Sequence, residues 1–146
     1  YSASISAAMA DTWGTEFGKL SKSKPISIIS FKTINHGLSG GITRIGTIGS
    51  LLGACIIGLI VWLSTDSEEF LIFGIIIIGF LSAIIDSIIG DKFQGKHQTP
   101  EGDIVEEPRL DTSLISGYYH INNNLVNLIA TISAPILMYL FIKILN

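Results

Sequence analysis

Asp86 lies inside one of the most apolar stretches of the chain, Phe70-LIFGIIIIGFLSAIIDSIIG. A carboxylate at the centre of such a helix costs roughly 2.5–3.5 kcal/mol to place in lipid. It therefore needs a hydrogen-bonding partner, a cation or a position at the water interface. A second carboxylate, Asp11, stands in Ala10-DTWGTEFG after a run of small residues: Ser2, Ala3, Ser4, Ser6, Ala7, Ala8 and Ala10. Small residues let membrane helices approach closely, so this run suits a carboxylate held where helices meet. Thr15 is one helical turn from Asp11 and shares its face, with Glu16 offset but near. The competing reading makes Asp11 a helix-end cap and Trp13 an interfacial anchor.

Two further segments offer groups that bind anions or cations. In Phe31-KTINHGLSGGITRIGT, the basic residues Lys32, His36 and Arg44 bracket Gly37, Ser39, Gly40, Gly41 and Thr43. Glycines let backbone N–H groups come close to a phosphate, while hydroxyls and cations add donors. A helix starting near Gly46 would aim its positive end at the same place. The alternative is a basic loop touching lipid headgroups. In Tyr118-YHINNNLVN, His120 and Asn124 are spaced i,i+4, as are Asn123 and Asn127. Amide oxygens can ligate a hard cation, and amide NH2 groups can hold phosphate or a base edge. Helix capping by Asn122 or Asn123 accounts for one of these amides more readily than for all of them.

Several patterns lead nowhere. Gly90-DKFQGKH nearly matches a phosphate-binding loop, but His97 replaces the required hydroxyl, and an apolar span rather than a strand precedes it. Gly49 and Gly53 form a GxxxG, which in a span reads as helix packing. One cysteine, Cys55, and three scattered histidines make neither a disulfide nor a zinc site. The D-G-x-x-A-R signature of CDP-alcohol phosphotransferases is absent, and no Ser/His/Asp arrangement is evident.

The elements that must position these residues are membrane spans. The chain has 146 residues, of which 14% are charged and 48% hydrophobic. Soluble domains carry about 25% charged residues, so a soluble fold would have too few to cover its surface. The expected fold is an all-α integral membrane protein, a polytopic transmembrane helix bundle of one domain with about four spans. These are 1–14 (partial), 46–63, 70–90 and 125–145, since about 20 apolar residues cross a bilayer. The chain begins with Tyr and the first span is short, so an N-terminally truncated fragment is expected.

Loop 19–45 carries Lys19, Lys22, Lys24, Lys32 and Arg44 with no acid, while the turn Ser64–Glu69 holds Asp66, Glu68 and Glu69 with no base. The excess of basic residues places loop 19–45, and with it loop 91–124, on the cytoplasmic side. The first helix would then end, the third end and the last begin at one membrane face. Nearly every polar residue without a simpler explanation gathers there.

Ala10-DTWGTEFG, Gly37-LSGGIT with Gly46-T, Asp86-SIIG with Gln94, and Asn123-NLVN run in one order along most of the chain. In these motifs the chain resembles the integral membrane family known as domain of unknown function 92, which includes transmembrane protein 19 and the phytyl-phosphate kinases. The resemblance implies a kinase that converts an isoprenoid monophosphate to its diphosphate, using a nucleoside triphosphate such as CTP.

Phosphoryl transfer is chiefly positioning and charge neutralisation. It calls for Mg2+, which takes carboxylate and phosphate oxygens. On this reading Asp11 and Asp86 hold the metal, with Glu16 the next candidate. Lys32, Ser39, Gly40, Gly41 and Thr43 hold phosphates, and Asn123 and Asn127 orient the donor or metal. Grooves of small residues between spans would take the prenyl chain. The partners are then the lipid bilayer and an isoprenoid phosphate, with no nucleic acid. The location is a plasma membrane in a prokaryote or an organelle membrane in a eukaryote. The rival readings are an ion-coupled transporter, which should place its polar groups near mid-bilayer, and a non-catalytic membrane subunit.

Overall fold

A computed structural model describes residues 1–145. Its frame is four helices: α1 (Ser2–Lys19), α2 (Arg44–Ser64), α3 (Glu69–Phe93) and α4 (Asn123–Leu145). The helices run a few residues beyond the spans expected from hydropathy. α2, α3 and α4 are each long and apolar enough to cross a membrane. Large apolar side chains such as Leu59, Trp62, Phe73, Ile77, Leu128 and Ile132 point away from the bundle. In water such a surface would be a liability; against lipid it is the ordinary exterior.

α1 is the least apolar of the four, yet it packs against all three others. The reason is its small-residue stripe: Ala3, Ser6, Ala7 and Ala10 are buried. In a bilayer, close packing replaces the hydrophobic effect as the force between helices. Glycines set the distance of approach. A Cβ on Gly53 would stand 2.7 Å from the Met9 carbonyl oxygen, and one on Gly46 would stand 2.9 Å from that of Gly14. On the other side of α1, a Cβ on Gly79 of α3 would run into Ser6. The GxxxG of α2 is thus a packing seam against α1. Pro135 lies within α4, which continues through it to Leu145.

The two long connections carry small antiparallel sheets that the helical reading of the sequence did not anticipate. β1 (Ile26–Ser27) pairs with β2 (Gly41–Ile42), with Ile26 opposite Ile42. In the second connection β3 (Lys96–Gln98) lies between β4 (Ile104–Val105) and β5 (Ser113–Ser116), with a bulge at Lys96/His97. α1 and α3 finish, and α2 and α4 begin, at the end of the bundle that carries both connections.

Replacing Gly53 with Val forces a branched side chain into the Met9 backbone. Overpacking of this kind costs about 1–3 kcal/mol. We expect Gly53→Val to lower the unfolding midpoint in detergent, and Ala54→Gly, which adds no bulk, to lower it less. Equal effects of the two would count against the seam.

Candidate functional site

A cleft of about 1310 Å3 opens at that end of the bundle, lined by all four helices and both connections. α1 contributes Asp11, Thr15 and Glu16, and α3 contributes Asp86 and Ser87. The glycine-rich loop adds Ser39, Gly40, Gly41 and Thr43, and the start of α4 adds Asn123 and Asn127. Asp11 and Asp86, 75 positions apart in sequence, therefore face one space because α1 and α3 end, and α2 and α4 begin, on the same side.

Asp86 and Asp11 also line a smaller cavity of about 90 Å3 between α1, α3 and α4, together with Ser82, Asn127 and Thr131. With its amide turned to satisfy both neighbours, Asn127 donates to Asp86 Oδ2 at 2.9 Å and to the Asn123 carbonyl at 3.1 Å. Asp86 thus gains a neutral donor from the neighbouring helix. Two carboxylates on one small cavity repel one another, an energy that a cation between them reverses. Among the described residues no three His, Cys, Asp or Glu side chains converge as a metal-ligand set. The donor set here is two carboxylates with nearby amides. It suits Mg2+, which keeps several waters and takes its other ligands from substrate phosphate.

The glycine-rich loop is fixed by Asp91, which in sequence reads as an ordinary acidic residue at the membrane interface. Asp91, one turn beyond Asp86, accepts from Ser27 Oγ at 2.5 Å and from the Ile29 N–H at 3.2 Å. Its Oδ1 takes the Lys96 ammonium at 3.2 Å, a pair only 10% and 13% exposed at the carboxylate and the ammonium respectively. Gly40 lies directly on Asp91 with φ of 79°, so a Cβ there would overlap the aspartate. This contact explains the glycine: any side chain would push the loop off α3. Nearby, Ser39 gives its N–H to Glu106 Oε1 at 2.5 Å and its hydroxyl to Glu106 Oε2 at 2.8 Å. Gln94 Nε2 gives a third hydrogen bond to Glu106 Oε2 at 2.7 Å.

Other expected residues are placed differently. Lys32 does not line the cleft; it is exposed on the β1 loop, where its carbonyl accepts from the Ser27 N–H at 2.9 Å. Glu16 lines the cleft but is 61% exposed and pairs with Lys19 at 2.6 Å, one turn away and off the Asp11 face. Thr43 caps α2, its Oγ1 accepting from the Gly46 N–H at 3.0 Å, while still lining the cleft. Asn122 caps α4 by accepting from the Leu125 N–H at 3.0 Å, and it lines the cleft together with Asn123, Asn124 and Asn127.

Lys96 is committed to Asp91, and the stretch Gly90–His97 is a helix end followed by a strand rather than a phosphate loop. The basic residues that do line the cleft are Lys19, His36 and Arg109. Among the described residues only two ion pairs form, Lys19–Glu16 and Lys96–Asp91, and Arg109 is in neither. Its backbone is fixed by a turn in which Arg109 N–H donates to Thr112 Oγ1 at 2.9 Å.

The comparisons with known proteins agree with this architecture. The family model described as integral membrane protein DUF92 matches residues 1–135. The uncharacterized membrane protein MJ0933 of Methanocaldococcus jannaschii is 33% identical over 137 residues, covering 94% of this chain and 48% of that protein. Protein PGR of Arabidopsis thaliana is 28% identical over 141 residues, covering 82% of this chain and 46% of that protein. The chain spans about half the length of these relatives. No solved structure matches.

Removing the Asp91 carboxylate strands the buried Lys96 ammonium and releases the β1 loop. Breaking such a pair costs about 3 kcal/mol. We expect Asp91→Ala to lower the unfolding midpoint and to speed tryptic cleavage at Lys22 and Lys32. Unchanged cleavage would mean that the loop is held by something else.

Proposed function

The chain belongs to the integral membrane protein family DUF92, and from that premise we propose that it is part of a membrane-embedded prenyl-phosphate kinase. Such an enzyme transfers the terminal phosphoryl group of a nucleoside triphosphate, CTP-like, to an isoprenoid monophosphate and yields the diphosphate. The observation that carries this reading is the meeting of Asp11, Asp86, the glycine-rich loop and the α4 asparagines in one cleft at one end of the bundle. A lipid substrate lies in the bilayer with its phosphate at the surface, where a cleft at a helix-bundle end can reach it. A carrier would be expected to place its polar groups near the bilayer centre; here they gather at one end.

In this reading an oxygen of the acceptor monophosphate attacks the terminal phosphorus of the triphosphate. The bond from that phosphorus to its bridging oxygen breaks, and the nucleoside diphosphate leaves with that oxygen. The acceptor oxygens are largely ionised near neutral pH, so no strong general base is required. Asp11 and Asp86 hold a divalent cation such as Mg2+, which when bound neutralises phosphate charge. Asn127 keeps Asp86 oriented by its hydrogen bond. Thr43, Gly40 and Gly41 present the α2 N-terminus and loop backbone to phosphate, since helix N-termini and glycine-rich turns favour anions. Arg109 takes the role that the sequence suggests for Lys32: it lines the cleft and has no ion-pair partner among the described residues. Asn123 reaches the same space from α4.

The test supplies the purified protein with prenyl monophosphates of several lengths, labelled nucleoside triphosphates and Mg2+, and measures diphosphate formed. We expect Asp11→Asn and Asp86→Asn each to lower turnover by about 100-fold or more, the scale of losing a charge-stabilising group. Arg109→Ala should lower it more than Lys32→Ala does. Turnover retained in both aspartate variants would remove them from the chemistry.

A further inference from the structure

Glu106 occupies a place that an anionic ligand could take. Its carboxylate accepts the Ser39 N–H, the Ser39 hydroxyl and the Gln94 amide N–H. Three convergent neutral donors around one carboxylate make an oxyanion seat. The seat faces the cleft, since Ser39, Gln94 and Glu106 all line it.

The two sides of this contact are anchored differently. The donor side is fixed without Glu106. Gln94 is 2% exposed at the end of α3. Ser39 rests against that helix so closely that a Cβ on Gly90 would stand 3.0 Å from the Ser39 Cβ. Gly40 is seated on Asp91, and a Cβ on Gly41 would stand 2.9 Å from Pro25. The acceptor side hangs from β4, a two-residue strand at the edge of its sheet. Glu106 forms no ion pair among the described residues, so no fixed cation ties its charge there. Glu107 follows it and also lines the cleft.

We propose that Ser39 and Gln94 form a phosphoryl-binding seat, and that the Glu106 carboxylate is its internal stand-in, displaced when a substrate phosphate enters. The proposal deepens the kinase reading by naming where a phosphate docks and what leaves to admit it. Exchange of one anion for another spares the buried donors an unsatisfied state, which is costly. It also makes the 99–112 connection a cover that loosens when the cleft fills. The phosphate can belong to the nucleotide or to the isoprenoid, and both present the same oxygens.

The experiment measures binding rather than turnover. The protein in lipid nanodiscs is titrated separately with a non-hydrolysable nucleoside triphosphate and with a prenyl monophosphate. Glu106→Gln keeps the size of the side chain but weakens its competition for the donors. For at least one of the two probes, Kd should fall by about tenfold, the scale of one charge-assisted hydrogen bond. Ser39→Ala and Gln94→Leu should raise the Kd of that same probe. The probe that responds identifies the occupant. Thermal unfolding of each variant checks that the fold is intact, and the milder Glu106→Asp, which shortens the reach, should also tighten binding.

If Glu106→Gln and Glu106→Asp leave both affinities unchanged or weaken them, Glu106 is a fixed latch and the seat does not exchange. That result is separate from failure of the kinase reading, which shows as no diphosphate from any prenyl monophosphate whatever the affinities.

Discussion

The structure is organised around the carboxylate of Asp86 on a helix otherwise suited to lipid. A charge there cannot face hydrocarbon, so the helices around it must supply something polar. α4 supplies the Asn127 amide. α1 supplies a second carboxylate, Asp11, which is no remedy for the first. Helix packing has brought together two carboxyl groups that are reconciled only by a proton, a cation or another ligand. The cleft exists because α1, α3 and α4 present these groups at one end of the bundle and both long connections close over them.

Bringing the carboxylates together depends on backbones that nearly touch. α1 fits between its neighbours because Ala3, Ser6, Ala7 and Ala10 are small and because Gly46, Gly53 and Gly79 face it. The same economy of side chains continues into the first connection, where Gly40 lets the loop lie on Asp91. Asp86 and Asp91 thus divide two tasks between adjacent turns of one helix. The first faces the cleft, and the second ties Ser27, Ile29 and Lys96 into a frame for the glycine-rich loop. The aspartate that looks costly in sequence faces the proposed chemistry, and the one that looks ordinary holds the structure.

Much of this was legible in the chain. Continuous apolar runs specify helices in a membrane with little ambiguity, because backbone polar groups must be satisfied within the segment. Once the three long spans are drawn, the count of crossings brings Asp11, Asp86, Ser39 and Asn127 to one end without knowledge of any contact. The small-residue run before Asp11 and the GxxxG of α2 likewise carry their packing partners in their composition.

The connections were not legible in this way. Their short strands are two to four residues long, below the length at which alternation can be read. Lys32 looked like a phosphate ligand because it stands beside glycines, but it is exposed on the β1 loop and does not line the cleft. Arg109 and Glu106 sit in a segment of mixed charge, where nothing local distinguishes them. Their roles arise from long-range contacts, Glu106 with Ser39 being 67 residues apart.

The central claim is that Asp86 is kept at a cost to the fold, for what its charge does in the cleft. Its most direct test is the thermal unfolding midpoint of Asp86→Asn in detergent or nanodiscs. An amide of the same shape removes a charge from the bundle and still hydrogen-bonds to Asn127. The midpoint should equal or exceed that of the original protein. A fall of more than about 3 °C, roughly 1 kcal/mol for a chain of this size, would contradict it and make Asp86 a structural residue.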